Sequence, residues 1–480
     1  MSKKTLKAGT GYIIGNYLLK GFAFITVPIF ARLLTVSDYG IFSTFVAYET
    51  ILSILISFAI HSSYKNAYYK FGVEQKAGGS GITYYNYATN SLVLILGSEA
   101  VWIAIAFIFR KNVEQLIGLD LRLQLLLIVY STSTALLLCF NTDRGIRYEY
   151  KEYLAMAGAN AVTNFLLSLF LIFCVFSNEK YMGRIIGTSV PMILIGLTVI
   201  YLFFRKARPK NLSESLKWGL RYSLPIVPHG ISQVVLNQFD RIMIKNMIGN
   251  IEAGYYSFAY SVYSIVSVTF TSLDTVWSPW FYEQMTAGNH RAIRKASSIY
   301  CEIVCSFCVS VILGSPEVIY ILGGDKYAET TKCVIPIVGS GFFLFLYYFP
   351  AGVEYFYEKT RYIAAGSILA ALINIILNYI LLKRYGYIAA AYTTLAAYVL
   401  YFAFHYSIYY RICSEQLFSN RVIGLSIVAI FCAQALTLAL LREIWIRWVV
   451  IIVILVSVLI ALEKQLLISE EIRKIIKKGD

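Results

Sequence analysis

Long apolar runs recur from one end of the chain to the other, and they constrain its fold more than any other feature. A run of about 18 apolar residues with few charges is long enough to cross a bilayer as a helix. The intervals between the runs are short and carry charges, glycine and proline. We therefore expect an all-α polytopic membrane protein with about fourteen transmembrane helices. The predicted spans are about 9–32, 40–62, 82–109, 117–140, 154–177, 182–204, 219–247, 253–277, 294–314, 331–353, 361–382, 386–409, 421–441 and 444–467.

The excess of basic residues indicates how the chain is oriented in the membrane. The 480 residues are 58% hydrophobic and only 14% charged, with a net charge of +15. In a soluble protein such a charge would suggest nucleic acid; here the basic residues fall mainly in loops, which indicates orientation in the bilayer. Roughly two thirds of the Lys and Arg residues lie on the side of the N-terminus. We expect both termini to be cytoplasmic, in the cell membrane of a bacterium, and no nucleic-acid partner.

A short pattern occurs twice. The segment LLTVSDYGIFS at 33–43 matches NIEAGYYS at 250–257 when Gly40 is laid on Gly254 and Asp38 on Glu252. In both copies an acidic connection is followed by a glycine and by a helix rich in aromatic residues and serine. Glycine permits tight turns and close approach of neighbouring helices.

The two copies predict how the chain is divided. Six predicted spans separate them, so both copies start from the same side of the membrane, as in transporters built from parallel repeats. We expect an N-terminal lobe over 1–210, a C-terminal lobe over 211–412, and a helix pair with a basic cytoplasmic tail over 413–480. The most basic loop, RKARPKNLSESLKWGLR, marks the boundary between the lobes.

Charged and polar residues inside predicted spans are candidate functional residues, because a charge in the bilayer is retained only where it meets water or a partner. Span seven carries polar residues at every fourth position, which would line one face of a regular helix, and span one carries a shorter row. Two such helices could line a wet cationic cavity. The predicted cargo-binding residues are Lys20, Asn16, Arg241, Asn237, Gln233, Arg32 and Lys245.

Several of these residues have a structural alternative. Asp240 and Arg241 could form an ion pair near the outer mouth, or Asp240 could tie span seven to a neighbour while Arg241 faces the cavity. Arg32 lies at a helix end, where its side chain could reach the interface. The acids Asp240, Glu49 and Asp274 are predicted to be structural residues or coupling carboxylates. No metal site is predicted.

Two stretches resemble a known family. GYIIGNYLLKGFAFITVPIFARLLTVSDYGIF resembles the start of the polysaccharide-exporting flippases of the multidrug/oligosaccharidyl-lipid/polysaccharide exporter superfamily. YSLPIVPHGISQVVLNQFDRIMIKNMIGNIEAGYYSFAY resembles the opening of their second half. The resemblance implies a MATE-like fold, with two pseudo-symmetric six-helix lobes and a helix pair around a central cavity. It also implies movement of an undecaprenyl-pyrophosphate-linked oligosaccharide, a polysaccharide repeat unit, from the inner to the outer leaflet.

The sequence departs from one branch of that family. Lys20 stands where lipid II flippases tend to have arginine, and span two offers Glu49 rather than a cation. Lipid II is therefore disfavoured as the cargo.

The expected function is transport and not catalysis. The chain has no nucleotide-binding loop motif, so alternating access would be driven by the membrane potential or by coupling to H⁺ or Na⁺, with no cofactor. The expected partners are the polyprenyl-linked oligosaccharide, the lipid bilayer and other polysaccharide-assembly proteins. A drug/cation antiporter is one alternative. A membrane-embedded glycosyltransferase or polymerase is another, although the predicted outer loops are short for a catalytic site.

Overall fold

The computed structural model describes residues 3–72 and 81–476, and its regular elements within these ranges are helices. The chain divides into two compact units, Met1–Ser257 and Phe258–Asp480. Residues 477–480, the end of the predicted basic tail, lie outside the described residues. The division into repeats at 210 and 412 stays a prediction.

Twelve α-helices begin in the N-terminal unit, and the last of them continues into the C-terminal unit. They are α1 Lys3–Leu33, α2 Val36–Ser57, α3 Tyr64–Phe71, α4 Tyr84–Ile108, α5 Arg110–Ile117, α6 Leu121–Ile146, α7 Tyr150–Cys174, α8 Lys180–Lys206, α9 Leu212–Ser223, α10 Val227–Val234, α11 Asp240–Met247 and α12 Asn250–Thr286. Short 3₁₀ segments cover Ile60–Ser63 and Leu224–Ile226, and a π-helical segment covers Val235–Phe239.

Seven further α-helices make up the rest of the C-terminal unit. They are α13 His290–Leu313, α14 Ser315–Gly323, α15 Thr331–Phe356, α16 Thr360–Tyr385, α17 Ile388–Ile412, α18 Asn420–Ala439 and α19 Ile444–Ile476, with a 3₁₀ segment at Asp325–Thr330. Helix α15 is the centre of this unit, since 89% of its most apolar window is buried and it packs against α13, α16, α17 and α18.

The predicted fold class is confirmed. Within the described ranges, eleven helices are long and apolar enough to cross a membrane, and they correspond to predicted spans one to six and nine to thirteen. Span fourteen corresponds to a shorter apolar stretch, Ile444–Ile460. Span eight lies in α12, a continuous helix of 37 residues whose many Ser, Thr and Tyr side chains lower its hydropathy. Span seven is a broken helix and is described below.

The two copies of the repeated pattern contact each other inside the N-terminal unit. A Cβ atom added to Gly40 would lie 2.7 Å from the amide nitrogen of Gly254 and would also clash with the carbonyl oxygen of Asn250. A Cβ atom added to Gly254 would clash with the carbonyl oxygen of Val36. Val36 corresponds to Asn250 in the repeat, so the contact is reciprocal, as a two-fold relation between the two segments requires. Glycine is needed at both positions because the backbones of α2 and α12 cross here.

The acidic residues of the repeat have a local role. Thr35 caps α2 and accepts a hydrogen bond from the amide of Asp38, and the Asp38 carboxylate accepts one from the amide of Thr35. Glu252 lies in the first turn of α12. A carboxylate is favourable at the positive end of the helix dipole, so both acids help to start the helix that follows.

Candidate functional site

The predicted seventh span is not one regular helix. It consists of α9, a 3₁₀ turn, α10, a π-helical segment and α11 in succession. Pro225 and Pro228 each remove a backbone donor near the start of α10, which explains why regular α-helix is interrupted there. The π segment adds a residue to its turn, so the polar residues at four-residue intervals do not keep to one face along the whole span.

The polar residues of this broken helix have different surroundings. The side-chain amide of Asn237 donates to the carbonyl oxygen of Gln233 at 2.7 Å, within the helix. Arg241 is half-buried and donates to the side-chain carbonyl of Gln238. An ion pair between Arg241 and the neighbouring Asp240 is one alternative given by the sequence analysis; this hydrogen bond joins Arg241 to Gln238.

Asp240 is joined to the next helix. It is 1% exposed and accepts a hydrogen bond from the hydroxyl of Tyr256, which is itself fully buried in α12. Tyr256 is the aromatic residue of the second copy of the repeat. The repeated pattern therefore supplies both the glycine at which α12 crosses α2 and the hydroxyl that holds the acid of α11.

Lys245 stabilises the end of another helix. Its ammonium donates to the carbonyl oxygen of Ile117 at 2.6 Å and lies 5.7 Å from the ring centre of Tyr48. The neighbouring Asn246 donates to the carbonyl oxygen of Leu116 at 3.3 Å. Both contacts satisfy carbonyls in the last turn of α5, which lack partners within the helix.

The predicted residues of α1 differ in exposure. Asn16 accepts a hydrogen bond from the hydroxyl of Tyr153 on α7 at 2.7 Å. Lys20 and Arg32 both have exposed side chains on the same helix. That Lys20 and Arg241 bind one cargo stays a prediction.

Two of the predicted acids are buried to different degrees. Glu49 is 5% exposed and accepts a hydrogen bond of 3.4 Å from Thr50, while its Oε1 has no hydrogen-bond partner among the described residues. Asp274, in the C-terminal unit, is half-buried and accepts a hydrogen bond of 2.8 Å from Ser278, four residues further along α12.

Sequence reasoning missed Arg184. This residue lies one turn into α8, and its guanidinium is 3.7 Å from the ring centre of Phe30 and 4.7 Å from that of Phe42. It donates to Asn164 at 2.6 Å and to Ser168 at 2.8 Å, both on α7. Within the described part of the chain, no carboxylate forms an ion pair with Arg184, and its Nε has no partner. The cation is therefore held by an amide, a hydroxyl and two aromatic faces.

A pair of glycines fixes the position of Arg184. A Cβ atom on Gly183 would lie 2.9 Å from the amide nitrogen of Ile172, and one on Gly187 would lie 2.5 Å from the Cα of Ser168. The two glycines thus bring α8 against the backbone of α7 on either side of the arginine. The sequence signal was the small-residue spacing in MGRIIGTS, which places a cation between two close-contact positions.

The fold and these features place the chain among polytopic helical membrane proteins. The structure resembles a solved chain described as "Lipid II flippase MurJ, inward closed conformation", with a TM-score of 0.74 and 14% sequence identity over 95% of this chain and 99% of that one. It also resembles an inward-facing multidrug resistance MATE family transporter of the MOP superfamily, with a TM-score of 0.53 and 14% identity over 86% of this chain and 96% of the other. At such identity the likeness concerns the fold alone.

The sequence identifies the family. The model of the polysaccharide biosynthesis protein family matches residues 6–285, more than half of the chain, and the chain belongs to this family. It is also similar to "Lsg locus putative protein 1" of Haemophilus influenzae, with 21% identity over 392 residues that cover 78% of this chain and 90% of the relative. The family predicted from the two quoted stretches is confirmed.

Proposed function

We propose that this protein moves an undecaprenyl-pyrophosphate-linked oligosaccharide, the repeat unit of a surface polysaccharide, from the inner to the outer leaflet of a bacterial cell membrane. Movement is by alternating access, with both termini in the cytoplasm. Membership in the polysaccharide biosynthesis protein family and a flippase-like fold support this proposal. Other polysaccharide-assembly proteins would supply the cargo and receive it.

The cargo determines what the protein must provide. A pyrophosphate linked to a sugar is anionic and strongly hydrated, so its unaided passage through hydrocarbon is costly. Cationic and hydrogen-bonding side chains within the membrane can replace the lost hydration shell. The polyprenyl tail is apolar and can stay in the lipid throughout.

The observation that carries the proposal is the environment of Arg184. A guanidinium held by neutral groups keeps its whole charge available for an anion, whereas a guanidinium paired with a carboxylate does not. The planar fork of arginine suits the oxygens of a phosphate. In the predicted orientation, Arg184 lies near the outer end of its span and would contact the pyrophosphate late in the movement.

The other residues have complementary roles in this proposal. Lys20, on the exposed face of α1, and the half-buried Arg241 would contact the pyrophosphate earlier. The amides of Gln233 and Asn237 would bind sugar hydroxyl groups. Arg32 lies in the last turn of α1, where a phosphate leaving the protein would pass.

The test is export of polysaccharide in a bacterium whose own gene has been deleted and replaced. Arg184→Glu is expected to abolish surface polysaccharide and to cause lipid-linked repeat units to accumulate on the cytoplasmic side, because it repels the anion. Arg184→Lys is expected to retain part of the activity, since the charge remains while the planar fork is lost. Arg205→Ala, at an exposed position of the same helix, is the matched control.

Two results would contradict the proposal. One is normal export by Arg184→Glu at a normal protein level in the membrane. The other is normal surface polysaccharide in the deletion strain itself. Labelled lipid-linked oligosaccharide, detected in each leaflet of vesicles that contain the purified protein, provides the direct measurement.

Glu49 favours a second candidate, transport of a cationic drug. A buried carboxylate with one oxygen lacking a partner among the described residues could bind a cation. Drug sensitivity in a host without its own efflux pumps separates the two functions: a drug antiporter protects the host, and Glu49→Gln removes the protection. A glycolipid flippase gives no protection.

A further inference from the structure

A histidine and a glutamate are completely buried together in the C-terminal unit. His405 on α17 and Glu354 on α15 are both 0% exposed, and His405 Nδ1 lies 2.6 Å from Glu354 Oε1. Neither residue takes part in another ion pair in the described part of the chain. They are 51 residues apart in sequence, so they meet only because α15 packs along α17.

Aromatic rings and a glycine surround the imidazole of His405. The imidazole lies 4.8 Å from the ring centre of Tyr347 and 4.7 Å from that of Tyr401, with Phe404 at 5.1 Å. On the third side, α16 presents Gly366, where an added Cβ atom would clash with His405 Nε2. Because Gly366 has no side chain, the imidazole can occupy the space that the Cβ atom of any other residue would fill.

Each residue of the pair has one polar atom without a hydrogen-bond partner among the described residues. These atoms are Glu354 Oε2 and His405 Nε2, and both are buried. A purely structural contact between two helices usually satisfies all its polar atoms, since an unsatisfied buried polar group is destabilising. The spare oxygen and the spare nitrogen are sites where a proton can be added or removed.

The charge states of the pair follow from its chemistry. When His405 Nε2 carries a proton and one further proton is shared between Nδ1 and Glu354 Oε1, the pair is neutral overall, whichever of these two atoms holds the shared proton. An additional proton makes the pair a buried cation, and loss of the shared proton makes it a buried anion. Both are unfavourable in an apolar interior, so the proton can enter or leave readily only when the site is opened to water.

The pair is close to the end of two spans. Glu354 is two residues from the end of α15, and the carbonyl oxygen of Glu354 accepts from the amide of Lys359 in the connection to α16, at 2.8 Å. His405 is seven residues from the end of α17, about two turns. In the predicted orientation both ends face the cytoplasm, so a small opening would connect the pair to the cytoplasmic solution.

We propose that Glu354 and His405 form the site at which this transporter binds and releases the proton that couples cargo export to the proton gradient. This inference rests on the proposed transport function and names its coupling ion. The proton taken up from the outside converts the neutral pair to a cation, and its release to the cytoplasm restores the neutral pair. The titratable groups that face the pair are Tyr347 and Tyr355 on α15 and Tyr401 on α17.

The first experiment measures proton binding by the purified protein without any cargo. Infrared difference spectra between acidic and alkaline buffer should contain a carboxylic acid band that disappears in Glu354→Gln and shifts in His405→Asn. Glu317→Gln is the matched control, because Glu317 is a carboxylate of the same unit that pairs with Arg447 instead of a histidine. The carboxylic acid band that depends on Glu354 should be unchanged in the Glu317→Gln variant.

The second experiment measures export in cells at several external pH values. Glu354→Gln keeps the shape of the side chain and one hydrogen bond to His405, so a merely structural pair would tolerate it. We expect the variant to lose the dependence of export on the proton gradient, with the same membrane level as the unmodified protein. If Glu354→Gln does not fold, His405→Asn tests the same site from the other partner.

The outcomes separate this inference from the proposed function. An unchanged infrared spectrum and unchanged pH dependence in the Glu354→Gln variant, in cells where the unmodified protein exports polysaccharide, overturn the coupling site alone. The opposite outcome can also be observed: the carboxylic acid band depends on Glu354, but deletion of the gene leaves export intact. This outcome supports the proton-binding site and overturns the proposed cargo.

Discussion

Both units contain buried ion pairs, and the N-terminal unit adds a cation, Arg184, that has no ion pair among the described residues. In the C-terminal unit an acid meets a base: Glu354 with His405, and Glu317 with Arg447. In the N-terminal unit Arg184 is held by neutral groups and aromatic rings. Ion pairs occur there at the turn between α6 and α7, where Arg144 and Arg147 meet several carboxylates.

This difference indicates which charges are available to a ligand. A paired charge is already compensated, and breaking the pair leaves the partner buried and alone. A charge held by amides, hydroxyls and rings remains uncompensated, so it can attract an ion from outside. Arg184 of the N-terminal unit is thus a candidate contact for an anionic cargo, whereas the charges in the ion pairs of both units are already compensated.

The largest effect is expected from removing the base of a C-terminal pair. Arg447 is 1% exposed and donates to Glu317 at 2.5 and 2.8 Å and to the carbonyl oxygen of Leu313 at 2.6 Å. Arg447→Ala should lower the free energy of unfolding by about 3–5 kcal/mol, since it leaves a carboxylate and a carbonyl without their donor. Denaturant titration in mixed micelles measures it. Arg442→Ala, at an exposed position nearby, is the control; equal stability of the two variants would contradict the comparison.

The N-terminal unit should be most sensitive where its backbones touch. Gly254→Ala places a methyl group against the backbone of α2 and should cost about 3 kcal/mol. Gly97→Ala is the matched control, because nothing lies within 4 Å of the added Cβ atom on that exposed face of α4. The control should stabilise by about 0.5–1 kcal/mol, as expected for glycine to alanine in a helix. Unfolding of both variants under the same conditions gives the change in the free energy of unfolding for each. If both changes had the same sign, a close contact at Gly254 would be contradicted.

A smaller effect is expected where a tyrosine holds an acid. Tyr256→Phe removes the hydroxyl that donates to Asp240 and should destabilise the protein by about 2 kcal/mol, because the buried carboxylate loses a donor. Tyr201→Phe, on an exposed part of α8, serves as the control. Thermal unfolding followed by fluorescence reports the difference. If Tyr256→Phe matched the control, the hydroxyl would have no part in holding Asp240.

The smallest effect is expected at the contact between α1 and α7. Asn16→Leu removes the acceptor for Tyr153 at a half-buried position, and we expect a loss of about 1 kcal/mol. The same thermal measurement applies, and Tyr153→Phe should give a similar value because it removes the other half of the hydrogen bond. A large effect of only one substitution would mean that the side chain makes a second contact.

Much of the fold could be predicted from the sequence. Eleven of the predicted spans coincide with apolar helices, because the transfer of an apolar run into a bilayer depends mainly on the residues of that run. The glycines of the repeated pattern were also recognised from the sequence, whereas the contact between α2 and α12 at these glycines was found only in the structure. The break in span seven was missed, although Pro225 and Pro228 were visible, since prolines also occur inside continuous α15 at positions 336 and 350.

The partners of the candidate site residues could not be predicted from the sequence, and the reason is physical. That Lys245 binds the cargo stays a prediction; the hydrogen bond of its ammonium to the carbonyl oxygen of Ile117, 128 residues away, is visible only in the structure. Arg184 was not recognised, because a single arginine near a helix end is usually an interface residue. Its role depends on Asn164 and Ser168, which belong to another helix.

The order of residues is sufficient to identify a helical membrane protein of the polysaccharide biosynthesis protein family, because span length, hydropathy and local motifs are properties of consecutive residues. Which charges are paired and which are held by neutral groups follows from the packing of the helices. The partner of a buried charge comes from a different helix, as His405 does for Glu354, and its identity depends on how helices pack rather than on the order of residues along the chain.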